Sequence, residues 1–186
     1  MFSVLKIYIK MENKKKKFNE IVKNIKEVKI QGATNIAKSA LKAYFLIPTI
    51  SSKKKLISLR PTEPLLANVL DKKQSHKEIL KHFSHTLEKI NKFSLKLIKN
   101  NDMIFTHCHS TSVVNALIYA KKKKRKFEIY NTETRPLYQG RKTARELKKA
   151  RIKTTMFVDS AAMIALTKTQ GTKKVDKVFL GADALL

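Results

Sequence analysis

From Asn100 onward the sequence alternates short apolar runs with stretches of helical spacing, and this alternation restricts the fold more than any other feature. The runs predict strands over 103–108, 127–132, 154–158 and 177–181, with helices over 112–122, 143–150 and 160–168 between them. A βαβαβαβ order implies a parallel sheet, since each helix returns the chain to start the next strand in the same direction. Every run stops at polar residues, in MIFTHCHSTS, FEIYNTETRP, TTMFVDSAA and KVFLGAD. Such stops gather at one edge of a parallel sheet, where open α/β folds bind ligands.

The preceding part reads differently. Residues 11–99 predict a helical domain, and residues 100–186 the first part of a Rossmann-like α/β domain. Phe18, Ile21, Val22, Ile25 and Val28 recur at helical spacing after the Lys14–Lys17 run. QGAT at 31–34 interrupts that pattern, and a second helix runs from Ala33 or Thr34 to Phe45. Pro48 and the Ser51-Ser52-Lys53 run predict a loop, followed by a short extended run in LISLR and a helix from about Glu63 to Asp71. Ile79, Leu80, Phe83, Leu87, Ile90, Phe93, Leu97 and Ile98 mark an amphipathic helix of about six turns. His76, His82 and His85 fall on or beside it, and a solvated face is the reading preferred over a metal site. Residues 1–10 are read as a possible over-extended start, with Met11 the alternative.

Composition narrows the class. The chain has 186 residues, of which 42% are hydrophobic, enough for a buried core. Its formal charge is +27, but Lys outnumbers Arg 35 to 6 and is spread over the whole length. A nucleic-acid reader would lean on the bidentate arginine fork, so compositional bias is preferred over a polyanion partner. The single cysteine excludes an intrachain disulfide framework and a cysteine-rich zinc site, as expected of a reducing, cytoplasmic location. No run reaches the roughly 20 apolar residues of a membrane span, and MFSVLKIYIK lacks the design of a signal peptide.

That cysteine, Cys108, ends a strand between His107 and His109 and precedes a helix. A helix dipole and cationic neighbours would make it a nucleophile or base; a buried structural thiol is the plainer reading. Ser110, Thr111 and Ser112 lead into the helix, where hydroxyls and free N–H groups can cap it or receive a phosphate. Arg135 can clamp a phosphate or pair with Glu133, in a loop that continues to Gln139-Gly140. Asp159 would be an N-cap. Asp183 ends the fourth run after Gly181-Ala182, and a carboxylate beside a thiol at neighbouring strand ends makes a candidate acid–base pair.

THCHSTS, TETRPLYQGRKTARELKKA, VDSAA and VDKVFLGAD, in this order and spacing, resemble one superfamily. It unites the regulatory subunits of translation initiation factor 2B with sugar-phosphate isomerases, which act on 5-methylthioribose 1-phosphate or ribose 1,5-bisphosphate. The resemblance runs from about Gln31 to Leu186, and the archaeal ribose-1,5-bisphosphate isomerase and initiation factor 2B-like proteins look nearest. It implies a catalytic pair at Cys108 and Asp183. It also implies substrate contacts at Gln31-Gly32-Ala33-Thr34, at Arg60 before Pro61-Thr62, and at Ser110–Ser112, with no metal or organic cofactor. The implied reaction is an aldose–ketose isomerisation of a ribose phosphate by a homo-oligomer. The alternative is a non-catalytic initiation factor 2B-like subunit that binds a protein or nucleotide partner.

Two departures stand out. Gln31 occupies the place of the family's arginine, and Leu186 follows Asp183 by three residues, whereas family members continue well beyond it. The α/β domain is therefore expected to be incomplete, from a truncated, split or partial gene, with a free sheet edge and uncovered apolar surface.

Overall fold

A computed structural model describes residues 2–71, 75–169 and 171–182. The described residues divide into two compact units, one of residues 2–71 and 75–83, the other of residues 84–169 and 171–182.

The first unit is helical. Helix α1 spans Phe2–Lys26, α2 Ala33–Leu46, α3 Ile50–Ser58 and α4 Pro64–Asp71. The first turns of α5, His76–Leu97, complete it. Phe18, Val22 and Ile25 of α1 meet Ile36, Ala37, Ala40 and Leu41 of α2, and Leu56, Leu66, Val69 and Ile79 close the core. These are the i, i+3 and i+4 positions of each helix, so one apolar stripe per helix suffices. Val28, assigned to the first helix by spacing, lies past its end with φ 57°. Helix α2 begins after Gly32, whose φ of 84° favours a residue without a Cβ.

The predicted loop at Ser51-Ser52-Lys53 and most of the extended run after it are corrected: residues 51–53 and 56–58 fall in α3. Thr49 caps this helix, accepting from the Ser52 N–H, while the Ser52 hydroxyl accepts from the Thr49 N–H. Buried Leu56 anchors the helix to the core, and the reciprocal cap offsets the poor helix propensity of serine.

The second unit holds a sheet of four parallel strands, β1 (Asp102–Thr106), β2 (Phe127–Thr132), β3 (Lys153–Phe157) and β4 (Lys177–Phe179), in the order β3-β2-β1-β4. Helix α6 (Thr111–Lys122) joins β1 to β2 and α7 (Gln139–Lys149) joins β2 to β3. A 3-10 turn (Asp159–Ala161) and the short α8 (Ala162–Leu166) follow β3. Alternating strand residues sort onto two faces. Ile104, Phe127 and Ile129 pack with Val114 and Leu117 of α6 and Leu147 of α7, while Met103, Phe105 and Tyr130 pack with Ala165 of α8. Register aligns Thr106 with Asn131 and Phe179, and Thr132 with Phe157, so all four C-terminal ends share one edge.

The opposite edge is stitched by charge. Asp102 accepts from the Lys99 N–H at 2.6 Å and pairs with Lys177 at 2.7 Å. Asp176 accepts from the Met103 N–H and donates its own to the Met103 carbonyl, both at 2.8 Å. Strands β3 and β4 bound the described sheet, and Val178, Leu180 and Met163 are exposed near β4 and on α8.

Candidate functional site

Where β1 ends, Cys108 takes up a left-handed conformation, with φ 65°. For a residue other than glycine this costs about 1–3 kcal/mol and persists only where the surroundings impose it. Both of its peptide groups are held by threonines. Its N–H donates to Thr134 Oγ1 at 3.0 Å, and its carbonyl accepts from Thr143 Oγ1 at 2.8 Å. The thiol, half-buried, donates to Gln139 Oε1 at 3.1 Å. Gln139 is the first residue of α7, which starts four residues earlier than its apolar spacing suggests, after the left-handed Tyr138.

Ser110 caps α6, accepting from the Val113 N–H at 3.4 Å, and Thr111 and Ser112 form the first turn of that helix. Gly181, past the end of β4, lies so close to Ser110 that a Cβ added there would meet the serine Cβ at 2.6 Å. The tail of β4 thus runs against the start of α6. Asp183 lies outside the described residues.

The β2–α7 loop is fixed from beneath by Asp159. Its carboxylate accepts from the N–H groups of Thr134 at 2.8 Å and Arg135 at 2.7 Å. The Arg135 amide, then the Thr134 amide, the Thr132 hydroxyl and the charge of His107 hold this carboxyl below the usual range, against the opposing effect of burial. The expectation that Asp159 serves as an N-cap is corrected: Val158 occupies that position, and the side chain binds the neighbouring loop instead. Arg135, offered by the sequence as a phosphate clamp or a partner of Glu133, pairs with Glu133 at 2.7 Å. Glu133 is 4% exposed and also takes Arg141 at 2.7 Å, so the two guanidiniums, Arg135 first, hold its carboxyl below the ordinary value. The Arg141 guanidinium lies 3.8 Å from the ring centre of Tyr138.

His109, beside Cys108, differs from the cationic neighbour the sequence suggests. The His109 side chain is 6% exposed, and desolvation first, then Lys142, push its pKa below the usual value, against Glu146 at 3.9 Å. It is a neutral ring at neutral pH. His107 shares a hydrogen bond with Thr132 Oγ1 through Nδ1.

Several residues here take on roles that the sequence does not show. Thr134, Thr143 and His109 hold Cys108, and Asn131, fully buried, donates to the carbonyls of Gly140 at 2.9 Å and Thr132 at 3.1 Å. Gln31–Thr34 and Arg60 belong to the helical unit. There Ala33 and Thr34 open α2, and Arg60 pairs with Glu63 at 3.5 Å. Among the described residues no cluster of His, Cys, Asp and Glu could hold a metal ion, and no helix is long and apolar enough to cross a membrane.

The sequence pattern of the Initiation factor 2 subunit family matches residues 2–186. The chain belongs to that family. It is 32% identical to a ribose 1,5-bisphosphate isomerase of Thermococcus kodakarensis, over 89% of this chain and 61% of that protein. It is 30% identical to one from Methanocaldococcus jannaschii over the same shares. It is also 25% identical, over 76% of this chain, to a putative translation initiation factor eIF-2B subunit 2-like protein of Pyrococcus furiosus. The chain thus spans about 61% of the length of the isomerases it matches. Its fold is that of the Pyrococcus horikoshii translation initiation factor eIF-2B crystal structure, with a TM-score of 0.77 at 22% identity, covering 89% of this chain and 66% of that one. A further fold neighbour, at TM-score 0.62 and 15% identity over 90% of this chain and 65% of that one, comes from a tetrameric eIF2B-beta2-delta2 complex of C. thermophilum.

Proposed function

We propose that this chain carries the thiol side of an aldose–ketose isomerase site, converting ribose 1,5-bisphosphate to ribulose 1,5-bisphosphate in the cytoplasm as a homo-oligomer. The observation that carries this reading is Cys108, held left-handed at the sheet edge with its thiol on Gln139 and the α6 N-terminus beside it. Likeness to isomerases of that name at about 30% identity supports it.

The chemistry assigns each group a task. A furanose with phosphate on C1 has no free aldehyde, so the ring must open before hydrogen can move. Asp183 gives a proton to the ring oxygen as its bond to C1 breaks, and recovers one from the C2 hydroxyl as C2 becomes a ketone. Cys108, as thiolate, removes the proton from C2 and returns it to C1, which becomes the CH2 bearing phosphate. Gln139 orients the thiol. Ser110, Thr111 and Ser112 with the α6 N–H groups receive one phosphate. Arg135 acts through Glu133, by shaping the loop.

The test is conversion of ribose 1,5-bisphosphate to the ketose, followed by carbon NMR, with wild type and Cys108→Ser. A loss of about a hundredfold or more in the serine variant is expected; full turnover by that variant would refute the assignment. The likeness to the eIF-2B subunit 2-like protein favours one second reading, a non-catalytic subunit that binds a translation factor or nucleotide. Co-purification with translation factors, together with an unconverted sugar phosphate, would select it.

A further inference from the structure

We infer that Thr143 is a positioning residue for Cys108, its buried hydroxyl oriented by His109 and fixing the left-handed cysteine through the cysteine carbonyl. The relay has one direction only. The Cys108 carbonyl can only accept, so Thr143 Oγ1 at 2.8 Å spends its single proton there. His109 Nδ1, 3.0 Å from the same oxygen, must then donate, which places the proton of the neutral ring on Nδ1. Thr143 is 1% exposed, so no solvent competes for its hydroxyl.

The geometry gives the relay a consequence for the thiol. The Cys108 N–H and carbonyl, on either side of its α-carbon, are held by Thr134 and Thr143. The first sets φ and the second ψ, and the two together aim the Cα–Cβ bond that carries the thiol to Gln139. Thr143 lies 35 residues from Cys108, and its hydroxyl bonds go to the cysteine carbonyl and His109 while the thiol bonds to Gln139. Its effect passes through backbone geometry alone.

Cys108 is the only cysteine of the chain, so its alkylation by iodoacetamide reports this geometry without interference. Thr143→Val keeps the shape and deletes the hydroxyl; Thr143→Ser keeps the hydroxyl. Alkylation should be at least about fivefold faster in the valine variant, as the thiol leaves Gln139 for solvent, and within about twofold of wild type in the serine variant. An unchanged rate in Thr143→Val, or an equal change in both variants, would overturn the inference. Nitrogen NMR of the wild-type histidines supplies a test that needs no substitution. His109 should carry its proton on Nδ1, and an Nε2–H ring would equally overturn it.

A third arm rests on the isomerase reading: Thr143→Val should then lose about a hundredfold in kcat with KM within about threefold. A wild-type chain that converts no sugar phosphate would count against that reading alone, while the alkylation rates and the tautomer still decide the role of Thr143.

Discussion

Gly140 sits directly against the backbone carbonyl of Thr132, and a Cβ at residue 140 would collide with that carbonyl. The contact lets Asn131 reach the Gly140 carbonyl and lets the Gly140 N–H donate to Glu133, so the start of α7 is fixed on the end of β2. Alanine is favoured over glycine within helices by about 1 kcal/mol. Here that gain is outweighed, because the obstacle is a buried strand carbonyl that cannot move aside. Gly140→Ala should destabilise the α/β unit by about 1–3 kcal/mol, read from urea denaturation.

Asp159 predicts a response to acid. Its carboxyl titrates below the ordinary value when folded, so the stability it contributes is complete above the unfolded pKa of about 3.9 and lost as pH falls through the lower folded value. Asp159→Asn leaves one amide N–H of the loop facing an NH2 donor. The variant should unfold at a lower temperature near neutral pH, and the gap to wild type should close below about pH 4, measured by thermal melts across pH.

His109 acts with the same sign in a different window. Burial lowers its pKa, so the unfolded chain binds the proton more readily than the folded one. Its contribution is therefore complete above the unfolded pKa of about 6.5 and erodes as pH falls through it towards the folded value. His109→Asn, whose amide can still donate to Thr143, should lessen the fall in melting temperature as pH drops below about 6.5.

The cap of α3 is testable in the helical unit. Thr49→Ala removes the acceptor for the Ser52 N–H and should cost about 1 kcal/mol, read as a lower urea midpoint at unchanged slope. Were this segment the loop its serines and lysines suggest, the substitution would be silent.

Much of the architecture is visible in the sequence because hydrophobic spacing is local. β2 falls at its predicted residues, and α2, α4 and β1 within one or two of theirs. Helix α3 is hidden because its cap pairs Thr49 with Ser52 rather than with the acidic or amide residue usual at that place, and because Leu56 is its principal buried anchor. The start of α7 is hidden behind the left-handed Tyr138. Within the site, Cys108 and Ser110 stand out because they end a strand and open a helix. Thr143 does not, since a threonine inside a polar helix gains its meaning only from register across 35 residues.

Strand β4 contributes three residues to the sheet, and contacts at its ends add to its pairing with β1. At the start, Lys177 meets Asp102 and the preceding Asp176 grips Met103; past the finish, Gly181 admits Ser110. Between them Val178 is half in solvent. Such a strand behaves as a strip pinned at two points. Its middle can accept other residues at little cost, whereas a bulkier residue at 181 or a lost charge at 177 would shift everything the strip carries.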